Sequence, residues 1–112
     1  MPQFSTISVM IQNYASVVLA VRTIIFNAAG RTVLKKYGVT KPFQIPSWFN
    51  LGMNAPIGMS NAVILSMLPS LNDLIAKERA DHARRDISRQ QMSATVNVGN
   101  LVDLVWAQIT AP

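Results

Sequence analysis

The sequence predicts an all-α chain led by one long N-terminal helix, extended rather than independently globular. Three observations carry that reading. Residues 5–29, STISVMIQNYASVVLAVRTIIFNAA, contain no proline and repeat apolar side chains at three- and four-residue steps. Apolar residues make up 50% of the chain and charged residues only 13%, against about 25% charged in an ordinary soluble domain. So little charge leaves much of the outside to face lipid, protein or nucleic acid. With 112 residues there is room for a single unit, 1–112, and for no second core.

Charge is placed unevenly. Ten Lys and Arg oppose five acids, and the first acid is Asp73, so Arg22, Arg31, Lys35, Lys36 and Lys41 precede any carboxylate. A basic, acid-free N-terminal stretch with Ser and Thr is the composition of organelle-targeted chains. It equally suits anionic lipid or nucleic acid. No charged stretch precedes the first apolar run, so a cleaved secretory signal is not expected. Cysteine is absent, which excludes disulfides, thiol chemistry and Cys-based metal sites.

In the first helix Ile7, Met10, Ile11, Tyr14, Val17, Val18, Val21, Ile24 and Ile25 share a face, while Gln12, Asn13, Ser16 and Arg22 form a narrow polar stripe. The run approaches the roughly 20 residues that span a bilayer. A central Arg costs about 2.5–3.5 kcal/mol on insertion scales, so a span with its polar stripe against neighbouring protein fits better than one surrounded by lipid. Arg22 is then expected buried against a partner, paired with its carboxylate or helix-end carbonyl. RTVLKKYG continues the helical character, with Lys35 and Lys36 in a last turn and Gly38 as the residue beyond it. The expected helix runs from about 5 to 37, with a possible bend at Gly30. Cations cluster at its C-terminal end, which in a membrane would turn residue 38 inward.

The loop 38–56 follows. Pro42, Pro46 and Pro56 forbid regular helix. Tyr37, Phe43, Trp48 and Phe49 stand among Lys35, Lys36 and Lys41, the residue types found at a lipid headgroup boundary. A stacking and phosphate-binding loop for nucleic acid uses the same types, and a proline-braced loop docked on a partner protein is a third reading.

Residues 57–68, IGMSNAVILSML, predict a short apolar helix interrupted by Pro69. Ser70 and Asp73 have the spacing of a capping box that would open a helix over 70–92. Lys77/Asp81, Asp81/Arg85 and Asp86/Arg89 are spaced to pair along it, above a thin stripe of Ala76, Ala80, Ala83 and Ile87. Such a helix runs along an aqueous face. One helix kinked at Pro69 over 57–75 is the other reading; it is long enough to span a bilayer, with Asn61 and Asn72 then requiring protein neighbours. Thr95–Val98 alternates like a short strand, and Asn100 with Asp103 marks a final helix over 100–110.

Catalytic constellations are missing from the sequence. His82 is the single histidine and stands among charged residues. A metal site needs more nitrogen, sulfur or convergent carboxylates. The five acids form no evident acid–base pair, and no phosphate-binding glycine loop or nucleophile elbow is present. No enzyme activity, cofactor or metal is expected.

The PSW at 46–48, the apolar run after it and the KERADHARR of 77–85 resemble the layout of the ATP synthase f subunit, and more broadly small accessory subunits of mitochondrial inner-membrane complexes. The resemblance covers about forty residues; Pro69 and the extra C-terminal helix depart from it. It implies a noncatalytic accessory subunit of a respiratory or ATP-synthase complex in the mitochondrial inner membrane, partnered by larger subunits and by anionic phospholipid, cardiolipin above all. The alternative expectation is a helical self-assembling coat or filament protein, with Arg31, Lys35, Lys36, Arg84, Arg85 and Arg89 lining a phosphate-facing groove.

Overall fold

Val17, Val21 and Ile25 recur every fourth residue, so they lie on one helix face. All three are buried, at 1%, 0% and 0% exposure. The computed structural model describes residues 2–30, 34–51 and 60–112, with the side chains of the first helix from residue 13 onward. Within it that face belongs to α1, Pro2–Ala29, and packs on a 3-10 turn at Pro42–Gln44, on α3 (Leu68–Glu78) and on α5 (Val98–Thr110). α3 and α5 also touch each other, so the core is enclosed by three mutually packed helices. Leu71 and Ile75 of α3 and Leu101, Val102 and Val105 of α5 meet Val21 and Ile25 in one buried cluster. Each fully buried aliphatic side chain contributes about 1.5–3 kcal/mol.

The described chain is all-α, its sole β feature an isolated bridge between Asn50 and Asn97. It is a compact body and not the extended form expected. The radius of gyration is 14.5 Å, close to the roughly 13 Å of a compact chain of this length. The physical reason is that the described part of the α1 apolar face, Val17, Val21, Ile25 and Phe26, is buried on its own chain; the side chains of Ile7, Met10 and Ile11 lie outside the described residues. Among the described residues no helix is long and apolar enough to cross a membrane.

α1 also ends earlier than 37. Gly30 takes φ +87°, which stops the helix after Ala29. A second short turn then closes at Gly38, φ +76°, as the sequence indicated: Gly38 N–H donates to Lys35 O at 3.1 Å and Val39 N–H to Leu34 O at 3.1 Å. Leu34 and Val39 are both buried beneath this paired cap.

The expected helix at 57–68 is α2, Asn61–Ser66, opened by Ser60, whose Oγ accepts from Val63 N–H at 3.3 Å; residues 57–59 lie outside the described residues. Pro69 occupies the first turn of α3, where a missing N–H is harmless. Ser70 is therefore inside the helix, and the capping box with Asp73 is not formed.

The helix over 70–92 is a second correction: α3 stops at Glu78. Arg79 turns to an extended conformation, and the Asp81 carboxylate takes its guanidinium at 2.9 and 3.0 Å and Ala83 N–H at 3.0 Å. A short acid that bonds the backbone two residues on offers the chain an alternative to helix. His82 follows at φ +53°. The spaced pairs expected along a continuous helix give way, among the described residues, to Arg79–Asp81, Arg84–Asp73 and Arg84–Asp86. Asn72 finds its polar neighbour within the chain, its Oδ1 accepting from Ile87 N–H at 2.8 Å. Helix resumes as α4, Arg89–Ala94, behind Ser88 in a reciprocal cap with Gln91, and packs on α2.

α5 begins two residues before the expected 100, because Asn97 is its N-cap, accepting from Asn100 N–H at 2.8 Å. The alternation at 95–98 forms its bridge to the aromatic loop: Leu51 N–H donates to Val96 O and Val98 N–H to Phe49 O, both at 3.0 Å.

Candidate functional site

The segment 34–51 is held by backbone and amide bonds at each step. After the Gly38 cap, Gln44 Oε1 accepts from Thr40 N–H at 2.8 Å, Thr40 Oγ1 at 3.0 Å and Lys41 N–H at 3.0 Å. Pro42 starts the 3-10 turn with its fixed φ. Ile45 then plugs into the core at 0% exposure, and a turn returns Phe49 N–H to Pro46 O at 3.2 Å.

This bracing presents three large rings to solvent: Tyr37, Phe43 and Trp48 are 52%, 60% and 68% exposed. Lys35, Lys36 and Lys41 are exposed beside them in sequence. Phe49 is different. It was expected at the same surface, yet it is 3% exposed and lies in the core, because the bridge to Val98 pulls its backbone inward. It serves as the base of an aromatic cluster, with Tyr37 edge-on at 6.0 Å and Trp48 edge-on at 4.7 Å. Edge-to-face pairs of this kind contribute about 0.5–1.5 kcal/mol beyond their burial, so the two exposed rings stand on a rigid support.

Arg22, expected against an external carboxylate, is half-buried and donates through Nη2 to Ser47 Oγ of its own chain at 2.9 Å. Its Nε is buried without a hydrogen-bond partner among the described residues. The cleft it lines, between α1 and α5, has a volume of about 370 Å³ and includes Asp103 on the opposite wall. Nothing in the spacing of Arg22, Ser47, Gly99 and Asp103 signalled that they converge. The cue that exists is the i, i+4 step from Gly99 to Asp103 on a helix whose N-cap could be read one turn too late.

Of the cations in the nucleic-acid alternative, Arg84 is engaged by Asp73 at 3.1 Å and Asp86 at 3.2 Å, and Arg85 donates to Pro112 O at 2.7 Å. Arg31 lies outside the described residues. Among the described residues no group of three or more His, Asp or Glu is placed to hold a metal ion. His82 is exposed, with Nδ1 at 3.2 Å from Ala76 O at the end of α3.

Comparison with protein-family models, with curated proteins and with solved structures gives no match to this chain.

Proposed function

We propose that the chain is a noncatalytic structural subunit that rests peripherally on an anionic membrane surface and helps hold a larger complex there. The observation that carries this is the exposure of Tyr37, Phe43 and Trp48 on one braced segment that also holds three exposed lysines. Amphipathic rings gain from a partly apolar interface while their polar edges stay wet, and lysine stems reach out to phosphates from the same depth. Each lysine near such a surface contributes about 1 kcal/mol. Peripheral docking is favoured over the transmembrane arrangement because Val17, Val21 and Ile25 of α1 are buried within the chain and, among the described residues, no helix is long and apolar enough to cross a membrane. The intramolecular partners of Arg84 and Arg85 weigh against the phosphate groove of a coat protein.

The mitochondrial inner membrane, implied by the resemblance of residues 46–85 to small accessory subunits, is the first to test. Purified chain is sedimented with vesicles of phosphatidylcholine alone, or of phosphatidylcholine with cardiolipin. Binding to the second and not the first is expected, weakened about a hundredfold at low salt when Lys35, Lys36 and Lys41 all become glutamine. Indifference to cardiolipin, or displacement of the chain from vesicles by single-stranded RNA, would overturn the reading.

A further inference from the structure

The cleft between α1 and α5 is an assembled polar site apart from the lysine–aromatic surface. Its two walls are antiparallel in register. Arg22 and Gly99 flank Ser47 at one end, where Gly99 N–H donates to Ser47 O at 2.9 Å. Eight residues back along α1, Tyr14 meets Trp106 edge-on at 5.2 Å, seven residues along α5 from Gly99. Eight helical residues rise about 12 Å, which sets the length of the cleft. Its volume, about 370 Å³, lies in the range of small-molecule sites, roughly 300–1,000 Å³.

Gly99 packs closely on the Ser47 backbone at this end: a Cβ there would stand 3.4 Å from both Ser47 O and Asn97 Oδ1. The charges are not spent on each other. Arg22 and Asp103 line the same cleft but form no ion pair. A buried donor such as Arg22 Nε left without a partner is costly, about 1–3 kcal/mol, and calls for an explanation.

The geometry points to a binding site for a small zwitterion of amino-acid type. Its carboxylate would sit on the Arg22 guanidinium, which presents a planar fork to two oxygens. Rotation of the Ser47 hydroxyl would open the Nε and Nη2 edge to it. The ammonium would face Asp103, and an apolar side chain would lie between Val18 and Val102 towards the Tyr14 and Trp106 rings. Charge decides the class. Among the described residues the cleft is lined by one cation, Arg22, and one carboxylate, Asp103, which sum to zero, so a dianionic phosphate meets repulsion from Asp103 while a zwitterion satisfies both groups.

The test is titration calorimetry on the full chain with four probes: L-leucine, 4-methylpentanoate, isoamylamine and inorganic phosphate. L-leucine is expected to bind, with 4-methylpentanoate and isoamylamine each about tenfold weaker or more through loss of one charge-assisted contact. Arg22→Gln should weaken both L-leucine and 4-methylpentanoate about tenfold, whereas Asp103→Asn should weaken L-leucine and leave 4-methylpentanoate unchanged. Amide shifts of Gly99 and the indole N–H shift of Trp106 on adding L-leucine to the unmodified chain locate the site without any variant. No heat and no shift at concentrations on the order of 10 mM would overturn the assignment. So would equal affinity for L-leucine and 4-methylpentanoate, tighter binding of phosphate, or full binding by a folded Arg22→Gln chain.

Discussion

Arg79 and Asp81 form a two-point contact, Nε to Oδ1 at 2.9 Å and Nη2 to Oδ2 at 3.0 Å, while Nη1 of the same guanidinium donates to Gln108 O at 2.5 Å. One side chain thereby ends α3, shapes the turn after it and ties that turn to the last turns of α5. Arg79 is 4% exposed, and its partners occupy all three of its nitrogens, the arrangement in which arginine and lysine are not interchangeable.

The contact makes stability depend on acid. Hydrogen bonds from the Arg79 guanidinium first, and from Ala83 N–H second, hold the Asp81 carboxyl well below the usual carboxylate range. A carboxyl whose folded value is depressed contributes stability that is present above its unfolded value and is lost as pH falls through the folded one. The unfolded value is about 3.9. Thermal melting should therefore fall as pH drops below about 4, and Asp81→Asn should flatten that part of the profile while lowering the melting temperature at neutral pH. A variant whose profile parallels the unmodified chain over the same range would remove Asp81 from the acid response.

Asn72 gives a second, pH-independent expectation. It is 9% exposed, and its Oδ1 accepts from Ile87 N–H across fifteen residues of chain at 2.8 Å. Asn72→Leu leaves that buried N–H unpaired and should destabilise by about 1–3 kcal/mol. Urea unfolding of the two chains measures it directly. Asn72→Asp, which retains an acceptor at the same reach, should recover part of the loss at neutral pH.

These two contacts mark where sequence reasoning stops. Helical periodicity in α1, the turn closed at Gly38 and the existence of a C-terminal helix are local properties, and each was legible from spacing and residue type. The end of α3 was not. Residues 77–89 carry helix-compatible charges, and the break combines the local Asp81 turn, which their i, i+4 spacing hides, with the return of Arg79 to Gln108, a partner far along the chain. The same holds for the candidate surface. The mixture of lysine and aromatic side chains at 35–49 is visible in the sequence, but Phe49 separates from Tyr37 and Trp48 only because a backbone bridge to Val98 draws it inward. The cleft at Arg22 was legible only as a charge in search of a partner.

Gly38 tests a purely conformational term. Among the described residues a Cβ at this position meets nothing within 4 Å, yet φ is +76°, so Gly38→Ala is expected to change backbone energy rather than packing. The expected loss is about 1 kcal/mol, read as a lower urea midpoint with an unchanged slope. Gly38→Asn, a residue that tolerates the left-handed region, should lose less.

The last expectation separates the surface from its support. Trp48 and Phe49 are neighbours in sequence and in edge-to-face contact at 4.7 Å, but Trp48 is 68% exposed and Phe49 3%. If the exposed ring is kept for an interface, truncating it should leave folding nearly intact, whereas truncating the buried one should not. Phe49→Ala opens a cavity beneath Tyr37 and Trp48 and should cost about 3–5 kcal/mol in urea unfolding. Trp48→Ser removes one aromatic contact, about 0.5–1.5 kcal/mol, and should sharply reduce sedimentation with cardiolipin vesicles. A double substitution of Phe43 and Trp48 to serine should leave the melting temperature close to that of Trp48→Ser alone, because Phe43 is 60% exposed, and should weaken vesicle binding further. Retention of vesicle binding by this folded double variant would rule out the aromatic surface as the membrane contact. Comparable destabilisation by Trp48→Ser and Phe49→Ala would instead show that the outer ring holds the fold together.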